Sequence, residues 1–413
     1  MADRCILHVD LNNFYAGVEC MLDPALRSRA VAVCGSVEER RGIVLAKNEL
    51  AKACGVTTGE TVGSAKYKCP QLVTVSPHFD LYAAASKQAR EIYGRFTEQV
   101  EPFGMDECWL DVTASTALFG DGVTIADTLR QTIKEELGLT ISVGVSFNKI
   151  FAKLGSDLKK PDATTYIPRE TFREQLWGLP AASLLGVGKA TAEELRRCGI
   201  HTIGQLAKAD ARSLRYQLKS RADQLIAYAN GQDNDPVKVC DMKVPAKSVG
   251  HGITTLRDLV CNDEVWPVAL ELTQEIGHRL RVYGQKAGGV AIAVRDNDLR
   301  VRQWQKGLDS PTFSPFVLAK EAFALFAASY DWKRPIRAVT VTAINLSDAA
   351  IPTQLQLWED TAHSERQEKL DSTVELLRQR FGAGAVRNAV LYGESLIPPE
   401  EEYCALPTNV ERE

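Results

Sequence analysis

The chain opens on Cys5–Val9, a short apolar, β-rich run that breaks at Asp10. That pattern predicts a strand, followed by a helix from Asn13 to Leu22 with Asn12 or Asn13 as its cap. Val31–Cys34 and Gly42–Ala46 read as strands, and Asn48–Cys54 as a short helix closed by Gly55. Asp80–Val100 reads as a long amphipathic helix. A turn then feeds a strand across Pro102–Val112. Ile125–Leu137 is helical, Thr140–Val145 is a β-branched strand, and Asn148–Leu158 is a helix that stops before Pro161. This mixed α/β order predicts a sheet covered by helices on one face.

From Arg169 to Gly231 the pattern becomes all-helical and marks a second domain. Gln232–Lys247 is polar, contains Pro236 and Pro245 and has no period, which predicts a linker. Alternation resumes from Ser248 to Ala350. Strands are expected at Val249–Leu256, Gly289–Arg295, Arg300–Gln305 and Ile336–Leu346, with helices at Glu264–Tyr283 and Pro315–Tyr330. The resulting β-α-β-β-α-β order matches a split βαβ motif, a third compact domain. Thr361–Phe381 is an amphipathic helix, and the acidic composition after Pro398 predicts disorder.

Composition narrows the class. With 413 residues the chain has room for two to four domains. It has no apolar run long enough to span a membrane, and its N-terminal apolar stretch is too short for a signal-peptide core. A cytoplasmic protein is expected. The ten cysteines are scattered without CxxC spacing, which favours reduced, mostly buried thiols over disulfides or zinc. The net charge of −4 and a pI near 6.0 count mildly against nucleic-acid binding. The acidic tail, including Glu400-Glu401-Glu402, hides a more neutral body, so any such binding must rely on local patches.

Three acidic residues carry candidate chemistry. Asp10 ends the first strand, while Asp106 and Glu107 start another far along the chain. Carboxylates on adjacent strand ends would suit a two-metal site for phosphoryl transfer. From spacing alone, a solvated turn at Asp106-Glu107 and a helix cap at Asp10 stand beside that reading. The flanking residues add weight. His8-Val9-Asp10-Leu11-Asn12-Asn13-Phe14-Tyr15-Ala16-Gly17-Val18-Glu19 resembles the opening motif of the Y-family, or translesion, DNA polymerases of the DNA polymerase IV type. Phe103-Gly104-Met105-Asp106-Glu107-Cys108-Trp109-Leu110-Asp111-Val112-Thr113 resembles their second motif, and Ser142–Leu154 a third. The resemblance spans about residues 4–347.

That resemblance implies a right-hand polymerase, multidomain α/β and α+β. The palm would take residues 1–11 and 78–166, the fingers 12–77, and a thumb with a helix–hairpin–helix 167–233. A linker at 234–247, a little finger at 248–350 and a tail at 351–413 complete it. The implied activity is low-fidelity, template-directed addition of dNTP to a primer 3′-OH with release of pyrophosphate. Asp10, Asp106 and Glu107, with the Leu11 carbonyl, would bind two Mg²⁺ ions. Asn12, Asn13, Phe14, Tyr15, Lys52 and Lys160 would meet the dNTP, with Tyr15 as the steric gate against a ribose 2′-OH. Ile43 and Leu45 would roof the nascent base pair. The chain departs from the family where a Tyr-x-x-Arg pair is usual, having Glu49 and Lys52, and at Gly104, where serine is usual. Lys52 supplies a point charge without a bidentate fork.

The implied partners are primer–template DNA, dNTP and a sliding clamp, with the chain acting as a monomer. Leu185-Gly186-Val187-Gly188-Lys189 resembles a phosphate-binding hairpin, with Ala190–Cys198 as its second helix. Lys247, Arg257, Arg295, Arg300 and Arg302 are further candidate phosphate partners. Gln354-Leu355-Gln356-Leu357-Trp358 resembles the peptide that docks bacterial polymerases on the clamp, presenting Gln354, Leu355, Leu357 and Trp358. Two other readings stand beside the enzyme. An inactive scaffold would act through DNA and clamp binding but would lack the acidic triad. A nucleotide cyclase with a related palm would have no use for the hairpin or the little finger.

Overall fold

Helices cover both faces of the first sheet, not one as the element order suggested. The computed structural model describes residues 3–239, 245–351, 361–391 and 396–398. In chain order it begins β1 (Ile6–Leu11), α1 (Phe14–Leu22), β2 (Val31–Cys34), β3 (Val44–Lys47), α2 (Glu49–Ala53), α3 (Val62–Lys68) and β4 (Val73–Val75). It continues α4 (Phe79–Gly94), β5 (Val100–Pro102), β6 (Glu107–Asp111), α5 (Thr116–Phe119), α6 (Gly122–Leu137), β7 (Ile141–Ser146), α7 (Lys149–Leu158) and β8 (Thr164–Ile167).

The strands form a five-stranded sheet in the order β5-β6-β1-β7-β8 and a three-stranded sheet in the order β3-β2-β4. Strand β1 is buried along its whole length. Leu7, Val9 and Leu11 pack into a core with Tyr82, Ile92, Ile125, Leu129 and Ile133 from α4 and α6. Ile6 joins Trp109, Ala152 of α7 and Val237 in a separate cluster. Covering on both sides explains why β1 reads as a continuous apolar run rather than a clean alternation. Helix α7 crosses β7 at very close range. A Cβ added at Gly144 would lie 1.9 Å from the Ala152 carbonyl oxygen, so only glycine permits the crossing.

The long helix expected to Val100 ends at Gly94. Strand pairing takes over, with Asp111 N–H donating to Gln99 O at 3.1 Å and Thr97 Oγ1 to Asp111 O at 2.7 Å. Helices α8 (Phe172–Leu176), α9 (Lys189–Arg197), α10 (Ile203–Ala207), α11 (Ala211–Leu218) and α12 (Arg221–Ala229) follow. Their core is shared with Phe147, Ile150, Phe151 and Leu154 around the start of α7. The first part of the expected linker is packed rather than free. Arg4 Nη1 donates to Asp235 O at 2.9 Å, Val237 is buried, and Lys238 N–H donates to Glu101 Oε2 at 3.0 Å.

The described residues divide into two compact units. The second comprises β9 (Val249–Leu259), α13 (Asn262–Val282), β10 (Gln285–Asp296), β11 (Val301–Thr312), α14 (Pro315–Ser329), β12 (Ile336–Asp348) and α15 (Thr361–Phe381). Its sheet order is β11-β10-β12-β9, so β12 separates β9 from β10, the split arrangement expected of this element order. Val290, Ile292, Val339 and Val341 face a core with Leu272, Ile276, Leu318 and Phe326 of α13 and α14. Helix α15 is tied to α13 by Arg378 Nη1 donating to Gln274 Oε1 at 2.7 Å. Residues 36–42 group with this unit, where Arg40 pairs with Asp258 at 2.5 Å. The clamp-like peptide Gln354–Trp358 and the acidic end lie outside the described residues. Among the described residues no helix is long and apolar enough to cross a membrane.

Candidate active site

Strand register brings the acidic residues together. β1 runs antiparallel between β6 and β7, and Asp10 stands opposite Glu107. The Leu11 N–H donates to Asp106 O at 2.9 Å. Gly104 has φ +93°, a left-handed conformation that glycine adopts without strain, at the turn leading into β6. This is a physical reason for glycine at that position. All three carboxylates therefore sit at the meeting ends of two neighbouring strands.

Helix α7 brings the counter-charge. Its N-cap, Asn148, accepts from Phe151 N–H at 2.8 Å. One turn on, Lys153 Nζ lies 2.9 Å from Glu107 Oε2, 3.2 Å from Asp157 Oδ2 and 3.6 Å from Asp10 Oδ2. Lys160 Nζ lies 2.7 Å from Asp10 Oδ2 and 2.8 Å from Asp157 Oδ1. Behind them, fully buried His8 places Nε2 3.1 Å from Glu107 Oε2 and Nδ1 2.8 Å from Ser156 Oγ.

Burial pushes the Asp10 carboxyl up to about 6, with Glu107's charge adding to it against the two lysines. Burial, then Glu107, raises Asp106 as well. Glu107 is held down at about 2. Burial works against this, but His8 and Lys153 outweigh it. Burial keeps His8 below the usual imidazole range.

The donor set, carboxylates with a backbone carbonyl, is the hard-oxygen chemistry that Mg²⁺ takes. Desolvation of Asp10 and Asp106 sets up a demand for a cation, and two ammonium groups already crowd there. Among the described residues, no three His, Cys, Asp or Glu side chains are gathered closely enough to hold an ion as they stand. The fit therefore lies in converging strand ends and donor chemistry, with the side chains turned toward lysines.

Helix α1 carries the expected nucleotide-facing residues. Asn13 precedes it in a left-handed conformation with φ 51°. Phe14 is buried in the core. Tyr15 stacks on Tyr82 with ring centroids 4.4 Å apart, and its hydroxyl lies 3.5 Å from Met105 Sδ. Burial and the nearby Asp106 charge raise its pKa. The Asn12 side chain is occupied elsewhere. Its Nδ2 donates to Ser142 Oγ at 2.9 Å and its Oδ1 accepts from Asp162 N–H at 2.8 Å. Its backbone N–H is also used, donating to Thr140 O at 2.9 Å, which leaves the carbonyl for a nucleotide. In the three-stranded region Ile43 is 43% exposed, which leaves it open to a ligand, whereas Leu45 is half-buried. Glu49 Oε1 accepts from Asn13 Nδ2 at 3.1 Å and lies 3.4 Å from Lys52 Nζ.

Gly186 has φ +89°, and Gly188 caps α9 without a side-chain bond. The first N–H groups of α9 thus have no partner within the helix. Val187 is different. Its side chain is buried and its N–H donates to Leu184 O at 3.0 Å, so it offers nothing to a phosphate. A cavity of about 630 Å³ is lined by Lys153 and Asp157, by residues 183–191 and by Arg221. In the second unit Lys247 is exposed, while Arg257 and Arg302 are paired with Glu264 and Asp331.

The sequence reading gave no role to His8, Lys153, Ser156 or Asp157. A usable signal existed. Lys153, Asp157 and Lys160 are spaced four and three residues apart along and just past one helix, so they share a face.

Residues 9–157 match the impB/mucB/samB family and residues 246–357 match its C-terminal domain. The chain is 47% identical over 388 residues to DNA polymerase IV of Acetivibrio thermocellus, covering 94% of this chain and 97% of that protein. It is 35% identical to DNA polymerase IV 1 of Bacillus subtilis, covering 93% and 92%. Among solved structures it resembles a Y-family DNA polymerase chimera of Dbh and Dpo4. That match has TM-score 0.75 and 23% identity over 83% of this chain and 98% of the chimera.

Proposed function

The chain belongs to the Y-family DNA polymerases, and from that membership we propose that Asp10, Asp106 and Glu107, with the Leu11 carbonyl, form its metal centre. The chain is a DNA-directed DNA polymerase of the translesion class, with the right-hand architecture of its family. Its substrates are primer–template DNA and dNTP, and Y-family polymerases are metal-dependent. Mg²⁺, two ions per site, suits the all-oxygen donors. Bound there, the metal would neutralise charge on the attacking and leaving oxygens of nucleotidyl transfer.

The chain's own residues do the rest. Lys160 meets the triphosphate as a point charge, from a position beside Asp10. Tyr15, braced against Tyr82, fills the space a ribose 2′-OH would need, and Phe14 anchors it from the core. Asn12 contributes its backbone carbonyl, while Asn13 and Lys52 border the phosphates from the fingers side. Ile43 and Leu45 roof the base pair.

The palm comprises residues 1–11 and 78–166, the fingers 12–77, the thumb 167–233 and the little finger 248–350. Backbone at Gly186 and Gly188, with Lys189, takes DNA phosphates without reading sequence, and exposed Lys247 adds a charge. The protein acts as a monomer in the cytoplasm.

The observation that carries this reading is the pairing of Asp10 opposite Glu107, with Leu11 N–H bound to Asp106 O. Primer extension with Asp106→Ala tests it. Extension is expected to be lost while DNA binding remains. Retained extension would remove Asp106 from the centre and, with it, this reading of the strand ends. Gln354, Leu355, Leu357 and Trp358 are proposed to dock the sliding clamp. Deleting residues 354–358 is expected to abolish stimulation by the clamp and to spare basal extension. Stimulation that persists would assign docking to another segment.

A further inference from the structure

Glu49 stands where two donors meet. The start of α2 is held firmly: Asn48 Oδ1 accepts from Val31 N–H at 3.1 Å and from Ala51 N–H at 3.0 Å, while Asn48 Nδ2 donates to Arg29 O at 2.7 Å. Glu49 is the next residue, the first of the helix. Its Oε1 accepts from Asn13 Nδ2 at 3.1 Å and lies 3.4 Å from Lys52 Nζ, one turn further along. One carboxylate oxygen therefore occupies the point on which an amide and an ammonium converge. The same pair of donors would suit a phosphate oxygen. The Lys52 and Glu49 side chains are 51% and 43% exposed, so a soluble anion can reach them. Ion pairs this open are weak and exchangeable.

Resting on the active-site reading above, we propose that Glu49 is an internal competitor of the dNTP triphosphate. It occupies Asn13 and Lys52 until a phosphate displaces it. This raises the dNTP concentration the enzyme needs and leaves the chemical step unaltered. An effect of that kind falls on KM, not on kcat. It also makes the resting triphosphate affinity depend more on Lys160, whose ammonium is paired with Asp10 and Asp157 and not with Glu49.

Single-nucleotide insertion on a primer–template, with kcat and KM measured separately, tests the proposal. The proteins are the wild type, Glu49→Gln, Lys52→Ala and the double variant. The glutamine carbonyl can still accept from Asn13 but no longer carries the negative charge that pairs with the ammonium, and a thermal melt confirms the fold. Glu49→Gln is expected to lower KM for dNTP about two- to five-fold with kcat nearly unchanged. Lys52→Ala is expected to raise KM by a larger factor in the Glu49→Gln background than in the wild type. A KM that is unchanged or raised in Glu49→Gln overturns the proposal, as do equal Lys52→Ala factors in the two backgrounds. Failure of the underlying active-site reading would appear differently, as extension surviving in Asp106→Ala.

Discussion

The five-stranded sheet raises the pKa of Asp10 and Asp106 by burial and keeps that of Glu107 low, against burial, through His8 and Lys153, whereas the three-stranded region lowers that of Glu60 through hydrogen bonds. Asp10, on the larger sheet, is pushed up to about 6 by burial. Glu60, beside the smaller sheet, is held down at about 2 by hydrogen bonds from Lys68, Ser64 and the Thr57 N–H. Packing explains the contrast. The large sheet is backed by Tyr82, Tyr93, Ile92, Ile125 and Leu129, which exclude water from the strand ends. The small one is backed by Ala32, Val44, Ala51, Ala65 and Leu72, with no aromatic ring among its buried residues. A thick core can hold charge in a strained, desolvated state that a metal relieves. A thin one leaves its carboxyl group to hydrogen bonds from neighbouring side chains and backbone, as Glu60 shows. The proposed chemistry belongs to the first setting and the proposed adjustable nucleotide contact to the second.

Three experiments can break or sharpen that contrast. The largest effect is expected at Tyr15, which is wedged between Tyr82 and Met105 on the rigid side. Tyr15→Ala is expected to relax discrimination against ribonucleotides by about 100-fold, measured as the ratio of kcat/KM for dNTP and rNTP. Unchanged discrimination would show that the ring is core packing only. Next comes a pair of lysines. Lys160→Ala is expected to raise KM for dNTP about ten-fold, the scale of a charge-assisted hydrogen bond. Lys52→Ala should have the smaller effect, and equal effects would erase the distinction between the regions.

The smallest effect concerns stability. Glu60 has a folded pKa below its ordinary value, so its bonds stabilise fully above about pH 4.5 and are lost as pH falls toward about 2. Denaturant titrations at several pH values should show wild type and Glu60→Gln differing near neutrality and converging in acid. A difference that grows in acid would contradict the assignment.

Much of the arrangement was legible along the chain. Helices α1, α6, α7, α13 and α14 follow from apolar period and caps, because each buries a stripe, and strands β1, β2 and β7 from short apolar, β-rich runs that are buried along their whole length. Strands β4, β5 and β8 were not legible. Each is three or four residues long and is defined by pairing with distant chain, which no local pattern records. The same holds for the site. Asp10, Asp106 and Glu107 stand out in recognisable motifs. The contact of His8 and Lys153 with Glu107 depends on the β1–β6 register and on how closely α7 approaches β7. The engagement of the Asn12 side chain was hidden for a related reason. The neighbours of Asn12 in sequence belong to the proposed nucleotide site, but its own amide is spoken for by Ser142 and Asp162.

The α7–β7 crossing shows how a residue without functional groups can govern the charge balance of the proposed active site. At Gly144 a single methyl group would meet the Ala152 carbonyl and force the helix outward. Lys153, the next residue along, would be carried off with it, leaving Glu107 without its cation. The distance at which the polymerase keeps its positive charge from its negative charge is thus set by one missing carbon atom.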